Sequence, residues 1–255
     1  MTSGARAPQV RIDNATVEFH GVKLVDDLSF RLESGHCTCL LGPSGVGKTT
    51  VLRLVAGLLT GGHGRATVSC DDGEPVTPRI AYMAQQDLLL PWLRIEDNVM
   101  LGRRLRGQDI GDGERGRARI LLGELGLHDS HGRLPRELSG GMRQRAALAR
   151  TLFEDRAIVL MDEPFSALDA ITRVRLQDLA ATHLRGRTVL LITHDPLEAL
   201  RLGHTIYVLQ GRPLSLGEAL HPEGEPPRAA GREDLLQQYG QLLQRLAAAG
   251  GSPAC

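Results

Sequence analysis

The chain has 255 residues, 30 lysines and arginines against 30 aspartates and glutamates, and 42% hydrophobic residues. That length buries a sizeable core in one large domain or two small ones, and the hydrophobic share excludes a disordered chain. A formal net charge of zero excludes a global field that would gather nucleic acid or anionic lipid, so a charged ligand must be held locally. The cysteines Cys37, Cys39, Cys70 and Cys255 form no CxxC pair and no dense scaffold, which implies reduced thiols in a cytosolic setting. Residues 1–9, MTSGARAPQ, lack the apolar core of a signal peptide, and apolar runs such as VLRLVAGLL are shorter than a bilayer span. Work at a membrane would therefore go through a partner.

In chain order, VRIDNATVEF, LVDDLSFRLES and HCTCLLG alternate apolar and polar residues and predict short strands, the last running into a glycine loop. TTVLRLVAGLL predicts a helix over Thr49–Leu59, ended by Gly61 and Gly62. RIAYMAQ predicts a strand and DLLLPW a turn; IEDNVMLGRRLRG and GERGRARILLGELGL predict two helices within a helical insertion over 87–155. RAIVLMDEP and TVLLITHD are continuous apolar runs of the kind found in buried parallel strands, joined by a crossover helix in SALDAITRVRLQDLAATHLRG. TIYVLQGRPLSLGE predicts a terminal hairpin, HPEGEPPRAAG a linker without packing potential, and REDLLQQYGQLLQRLAAAG one amphipathic helix.

GPSGVGKT at 42–49 fits GxxxxGK[ST] between a predicted strand and a predicted helix. Its glycines let backbone N–H groups converge on phosphate oxygens, and the helix N-terminus adds partial positive charge. Lys48 would reach the β- and γ-phosphates of a nucleoside triphosphate and Thr49 would ligate Mg²⁺. AIVLMDE delivers Asp162 to a strand end, suited to holding Mg²⁺, with Glu163 suited to polarising an attacking water as general base. His194 ends a third such strand and suits a γ-phosphate sensor. Ser139, in RELSGGMRQRAALAR, is a good N-cap before a good helix, so the amides of Gly140 and Gly141 form a second anion site. This one lacks a lysine.

The combination of GPSGVGKTT, LSGGMRQR, LMDEPFSALD and ITHD, in that order over nearly all of residues 10–215, resembles the ATPase subunit of ATP-binding cassette (ABC) transporters. The resemblance implies a P-loop NTPase (RecA-like) α/β core with an N-terminal antiparallel β subdomain and an inserted α-helical subdomain, over 10–215. A linker and C-terminal helix would follow at 216–255. It implies ATP and Mg²⁺ as ligands. Gly42, Pro43, Ser44, Gly45, Val46, Gly47, Lys48, Thr49 and Thr50 match the phosphate loop, and Ser139, Gly140 and Gly141 the signature. Asp162 matches the Mg²⁺ aspartate, Glu163 the catalytic glutamate, and His194 the switch histidine. Asp169 matches the loop that crosses the dimer. Gln85 matches the glutamine that joins Mg²⁺ and senses the membrane partner, counted back from LLPW. Phe19 stands where relatives carry an adenine-stacking tyrosine, with His20 as its neighbour, and either ring can stack.

The resemblance also implies two copies sandwiching two ATP molecules, each between one chain's phosphate loop and the other's signature. It further implies transmembrane permease subunits, a solute-binding protein in the assembled importer, and a peripheral place on the cytoplasmic face of the inner membrane. Leu88, Leu89, Leu90 and Trp92 would sit exposed where a permease coupling helix docks. LLPW…DNV resembles importers of nitrate, sulfonates, taurine and thiamine-precursor pyrimidines. A non-transport ATPase of nucleic-acid repair or translation would need coiled coils, zinc insertions or two cassettes, none of which is visible, so no nucleic-acid partner is expected. A soluble kinase would leave the signature and SALD without a role.

Overall fold

The computed structural model describes residues 6–59 and 63–250. In chain order the elements are β1 (Val10–Phe19), β2 (Val22–Leu32), β3 (Cys37–Leu41), α1 (Lys48–Val55), β4 (His63–Cys70) and β5 (Ile80–Met83). Then come α2 (Ile95–Val99), α3 (Leu101–Leu105), α4 (Asp112–Glu124), α5 (Gly140–Phe153), β6 (Ile158–Asp162) and α6 (Ala170–Leu184). The chain closes with β7 (Thr188–Thr193), α7 (Pro196–Leu202), β8 (Thr205–Gln210), β9 (Ser215–Leu216) and α8 (Glu233–Gly250). The chain divides into two compact units, one of residues 1–80, 157–163 and 185–255, the other of 81–156 and 164–184.

The first unit holds two sheets. β2, β1 and β4 form an antiparallel sheet with β1 in the middle. The other runs β6-β7-β3-β8-β9, parallel from β6 to β8, with β9 turning back antiparallel on β8. Every residue of β6 and β7 is buried. This is why these strands read as unbroken apolar runs: covered on both faces, they have no polar side to alternate with. Parallel strands end on the same side, so β3, β6 and β7 deliver the phosphate loop, Asp162–Glu163 and His194 to one edge.

Three sequence expectations need correction here. Helix α1 stops at Val55 rather than Leu59, because Gly57 takes φ +70° and the amide of Leu58 closes back on the Arg53 carbonyl at 2.8 Å. The expected terminators Gly61 and Gly62 lie outside the described residues. The single helix expected over IEDNVMLGRRLRG is split at Met100, whose φ −89°, ψ 5° leaves the helical region.

The expected unpacked linker is packed. Leu220 exchanges backbone hydrogen bonds with Ile206, Pro222 is buried, and Arg228 is 2% exposed. The Arg228 guanidinium donates to the carbonyls of Leu200, Gly203, Pro222 and Glu223. Burial pushes its pKa down, and among the described residues its hydrogen-bond acceptors are backbone carbonyls rather than a carboxylate. Helix α8 continues this segment and packs on α7 and β8, with Leu235 and Leu242 fully buried.

In the second unit α5 is the central helix, packed against α2, α4 and α6. It is buried nearly all round through Ala146, Ala147, Leu148 and Ala149, and the three alanines let neighbours approach closely. Among the described residues no helix is long and apolar enough to cross a membrane.

Candidate nucleotide site

The phosphate loop turns through Gly45 at φ +78° and Gly47 at φ +114°, conformations that a side chain would strain, and Gly47 leads directly into α1. A Cβ on Gly47 would also meet Leu24 of β2 at 3.4 Å, so the β1–β2 sheet lies against the loop. Phe19 ends β1 at the tip of that hairpin, partly exposed, and His20 follows at φ +49°.

Lys48 is 5% exposed, and its ammonium donates to the carbonyls of Gly42 at 2.7 Å and Pro43 at 2.9 Å. It lies 3.8 Å from Glu163 Oε1. Burial draws the Lys48 pKa down, with Glu163 and Asp162 opposing that shift. Thr49 donates its hydroxyl to Asp162 Oδ2 at 2.6 Å. Asp162 is 1% exposed and its carboxyl is raised above the ordinary range, first by burial, against the Thr49 hydrogen bond. Its Oδ1 is buried with no hydrogen-bond partner among the described residues. A carboxylate oxygen so placed, next to a hydroxyl, is a hard-oxygen donor set, and this fits Mg²⁺.

Glu163 follows with φ +47°, its amide held by the Ile192 carbonyl at 2.9 Å. Such a conformation costs a glutamate about 1–3 kcal/mol and survives where surrounding structure enforces it. It turns the side chain out of line with β6, toward His194, whose Nδ1 stands 3.2 Å from Glu163 Oε1. Glu163 thus lies between an ammonium and an imidazole.

The other residues picked out in the sequence belong to the second unit. Ser139 is the N-cap of α5, accepting from the Met142 amide at 3.3 Å, so the amides of Gly140 and Gly141 head the helix without intrahelical acceptors. A Cβ on Gly141 would sit 3.2 Å from the Ala167 carbonyl. Gln85 and Gly140 line one cavity of about 400 Å³ with Gln86, Arg143, Gln144 and Ser166. Asp169 caps α6, accepting from the Thr172 amide at 3.0 Å, and that bond holds its carboxyl below the usual range. Gln144 was not singled out in the sequence. It accepts from the Ala167 amide at 2.8 Å and reaches Ser166 Oγ at 3.3 Å, tying the signature helix to the SALD segment. Its position inside LSGGMRQR was the available signal. Leu88 and Trp92 are exposed as expected, but Leu89 is buried and Leu90 half-buried.

Residues 25–166, more than half of the chain, match the family described as ABC transporter. The chain belongs to the ABC transporter family. An uncharacterized ABC transporter ATP-binding protein of Haemophilus influenzae is 43% identical over 241 residues, covering 93% of this chain and 98% of its own length. The cassette is also similar to the aliphatic sulfonates import ATP-binding protein SsuB 2 of Burkholderia cenocepacia, at 36% identity over 95% of this chain and 88% of that protein. The corresponding SsuB 1 of Rhodococcus jostii is 42% identical over 86% and 88%. Among solved structures, a dimeric ATP-binding cassette in a post-hydrolysis state with ADP and phosphate superposes with a TM-score of 0.74. It is 28% identical and covers 84% of this cassette and 99% of its own chain. As a member of this family the cassette binds and hydrolyses ATP.

Proposed function

We propose that the cassette is the ATP-hydrolysing subunit of an importer for sulfonates or related solutes of the nitrate, taurine and thiamine-precursor pyrimidine type. It would work as a homodimer at the cytoplasmic face of a membrane, bound to permease subunits and served by a solute-binding protein. The observation that carries the chemistry is the joining of Lys48, Asp162, Glu163 and His194 at one strand edge. The importer assignment is supported by the import names of relatives at 36% and 42% identity, and pairing by the dimeric cassette.

In this reading the loop amides from Gly42 to Thr50 cradle the phosphates, Lys48 leaves its loop carbonyls for the β- and γ-phosphate oxygens, and Phe19 stacks on adenine. Thr49, Asp162 and Gln85 would hold Mg²⁺, and the ion would supply charge neutralisation at the phosphate oxygens. Glu163 takes a proton from the attacking water, and His194 fixes the Glu163 carboxylate and senses the γ-phosphate. Ser139, Gly140 and Gly141 of each chain face the ATP held by the other, with Asp169 near the crossing. The chain alone should therefore be inactive. Residues 10–215 would form the ATPase domain, 87–155 its helical subdomain and 216–255 an appended C-terminal segment.

The test is ATP hydrolysis and solute uptake by the cassette reconstituted with its permease and a panel of sulfonates, nitrate and pyrimidines. Hydrolysis stimulated by a sulfonate supports the reading; specific nucleic-acid binding with no permease capture overturns it.

A further inference from the structure

Leu88 is a non-glycine residue at φ +45°, yet 57% exposed, so burial of its own side chain does not hold it there. Two arginines of α5 hold the turn instead. Arg150 donates from Nη2 to the Asp87 carbonyl at 2.7 Å and from Nη1 to the Leu88 carbonyl at 2.8 Å. Arg143 donates from Nε to Asp87 Oδ2 at 3.0 Å and from Nη1 to the Leu138 carbonyl at 2.9 Å, just before the cap Ser139. Asp87 Oδ1 accepts from the Leu89 amide at 3.2 Å.

The rest of the loop is fixed by buried Asn98, which accepts from the Leu90 amide at 2.7 Å and donates to the carbonyls of Leu90 and Leu93. Leu88 and Trp92 are left projecting at 57% and 71% exposure. The Arg150 guanidinium is pushed down in pKa by burial, with Asp87 and Glu154 opposing. Here the two consecutive carbonyls are held by two separate Nη atoms of one planar fork; a lysine at this position offers a single nitrogen, one bond nearer its backbone, and cannot take both places.

We infer that Arg150, with Arg143, is a positioning residue that clamps the strained Asp87–Leu88 turn to α5, so that engagement of Ser139 and movement of the Leu88–Trp92 surface are one rigid displacement. That the surface meets a permease rests on the importer reading.

The variant to test is Arg150→Lys, which keeps charge and stem and loses the fork. In the purified cassette, amide hydrogen exchange at Leu89 and Leu90 is measured with and without Mg²⁺-ATP, beside nucleotide affinity. The expected result is that ATP slows exchange at both amides in the wild-type chain, and that Arg150→Lys loses this response with affinity within about twofold. An equal ATP response in both proteins, or none in the wild type, overturns the inference. Should Arg150→Lys lose nucleotide affinity, Asp87→Asn, which weakens the Arg143 half of the clamp, replaces it; a reduced ATP response is then expected, and a wild-type response overturns the inference. In the reconstituted complex the variant is expected to keep basal hydrolysis and lose about tenfold in transport per ATP. Equal coupling overturns the clamp. A wild-type chain that captures no permease overturns the importer reading alone, with the exchange comparison still deciding the clamp.

Discussion

The imidazole Nδ1 of His194 lies 3.2 Å from Glu163 Oε1, a close polar contact between side chains issuing from the ends of two adjacent parallel strands. Glu163 leaves the extended path of β6 at φ +47°, the conformation in which the contact is made. The contact places an imidazole nitrogen beside the carboxylate that would polarise an attacking water.

Glu163→Gln is expected to lower ATP hydrolysis by about 10²–10⁴-fold, the range for loss of a general base, while leaving nucleotide binding intact. Size exclusion with Mg²⁺-ATP should then show a long-lived dimer. His194→Ala should cut hydrolysis by a similar order without trapping so stable a dimer. Wild-type rates in the glutamine variant would refute the base assignment.

Asp162 is predicted to govern the response of Mg²⁺-ATP binding to pH. Its folded-state pKa is raised, so its ionised form costs the folded chain stability above that pKa, and the cost disappears as pH falls through it. Mg²⁺ needs the ionised form. Calorimetric Mg²⁺-ATP affinity should therefore weaken on acidification starting above the ordinary carboxylate range. Asp162→Asn should remove that pH dependence, abolish the Mg²⁺ contribution, and raise the melting temperature of the ligand-free chain. A lower melting temperature in the variant would count against the buried-ion account.

Gly141→Ala places a methyl group 3.2 Å from the Ala167 carbonyl at the head of the signature helix. Ser139→Ala removes only the cap, at about 1 kcal/mol of stability. Both should abolish ATP-driven dimerisation measured by light scattering, with nucleotide affinity of the single chain nearly unchanged. Loss of monomer affinity would place the signature at the chain's own nucleotide instead.

Arg228→Ala withdraws a buried guanidinium from four backbone carbonyls, three of them in the buried residues Leu200, Gly203 and Pro222. A loss of about 3 kcal/mol is expected, or roughly 6–12 °C in the melting temperature for a chain of this size. Limited proteolysis should then cut first between residues 218 and 232. An unchanged melt and digest would show that the segment does not depend on Arg228.

Much of the architecture was legible because it rests on local patterns. AIVLMD and TVLLIT have the unbroken apolar form of doubly covered strands, and GPSGVGKT between strand and helix has a geometry that glycine and lysine dictate. The failures share a cause. HPEGEPPRAAG looked unable to pack because proline and glycine bury little, but the single arginine within it supplies the donors that fasten its backbone. Leu88, Leu89 and Leu90 looked alike in sequence, yet the turn at Leu88 sends Leu89 inward at 7% exposure.

The amino-acid sequence by itself determined the phosphate loop, the acidic strand end and the capped signature helix, since each is set by residue types within a few positions of one another. Tertiary structure alone decided what these groups touch. The unpartnered oxygen of Asp162, the strained turn that swings Glu163 to His194, and the hold of Arg150 on the Asp87 and Leu88 carbonyls depend on residues far apart in the chain. Burial and hydrogen-bond direction are properties of the packed whole, and no local spacing encodes them.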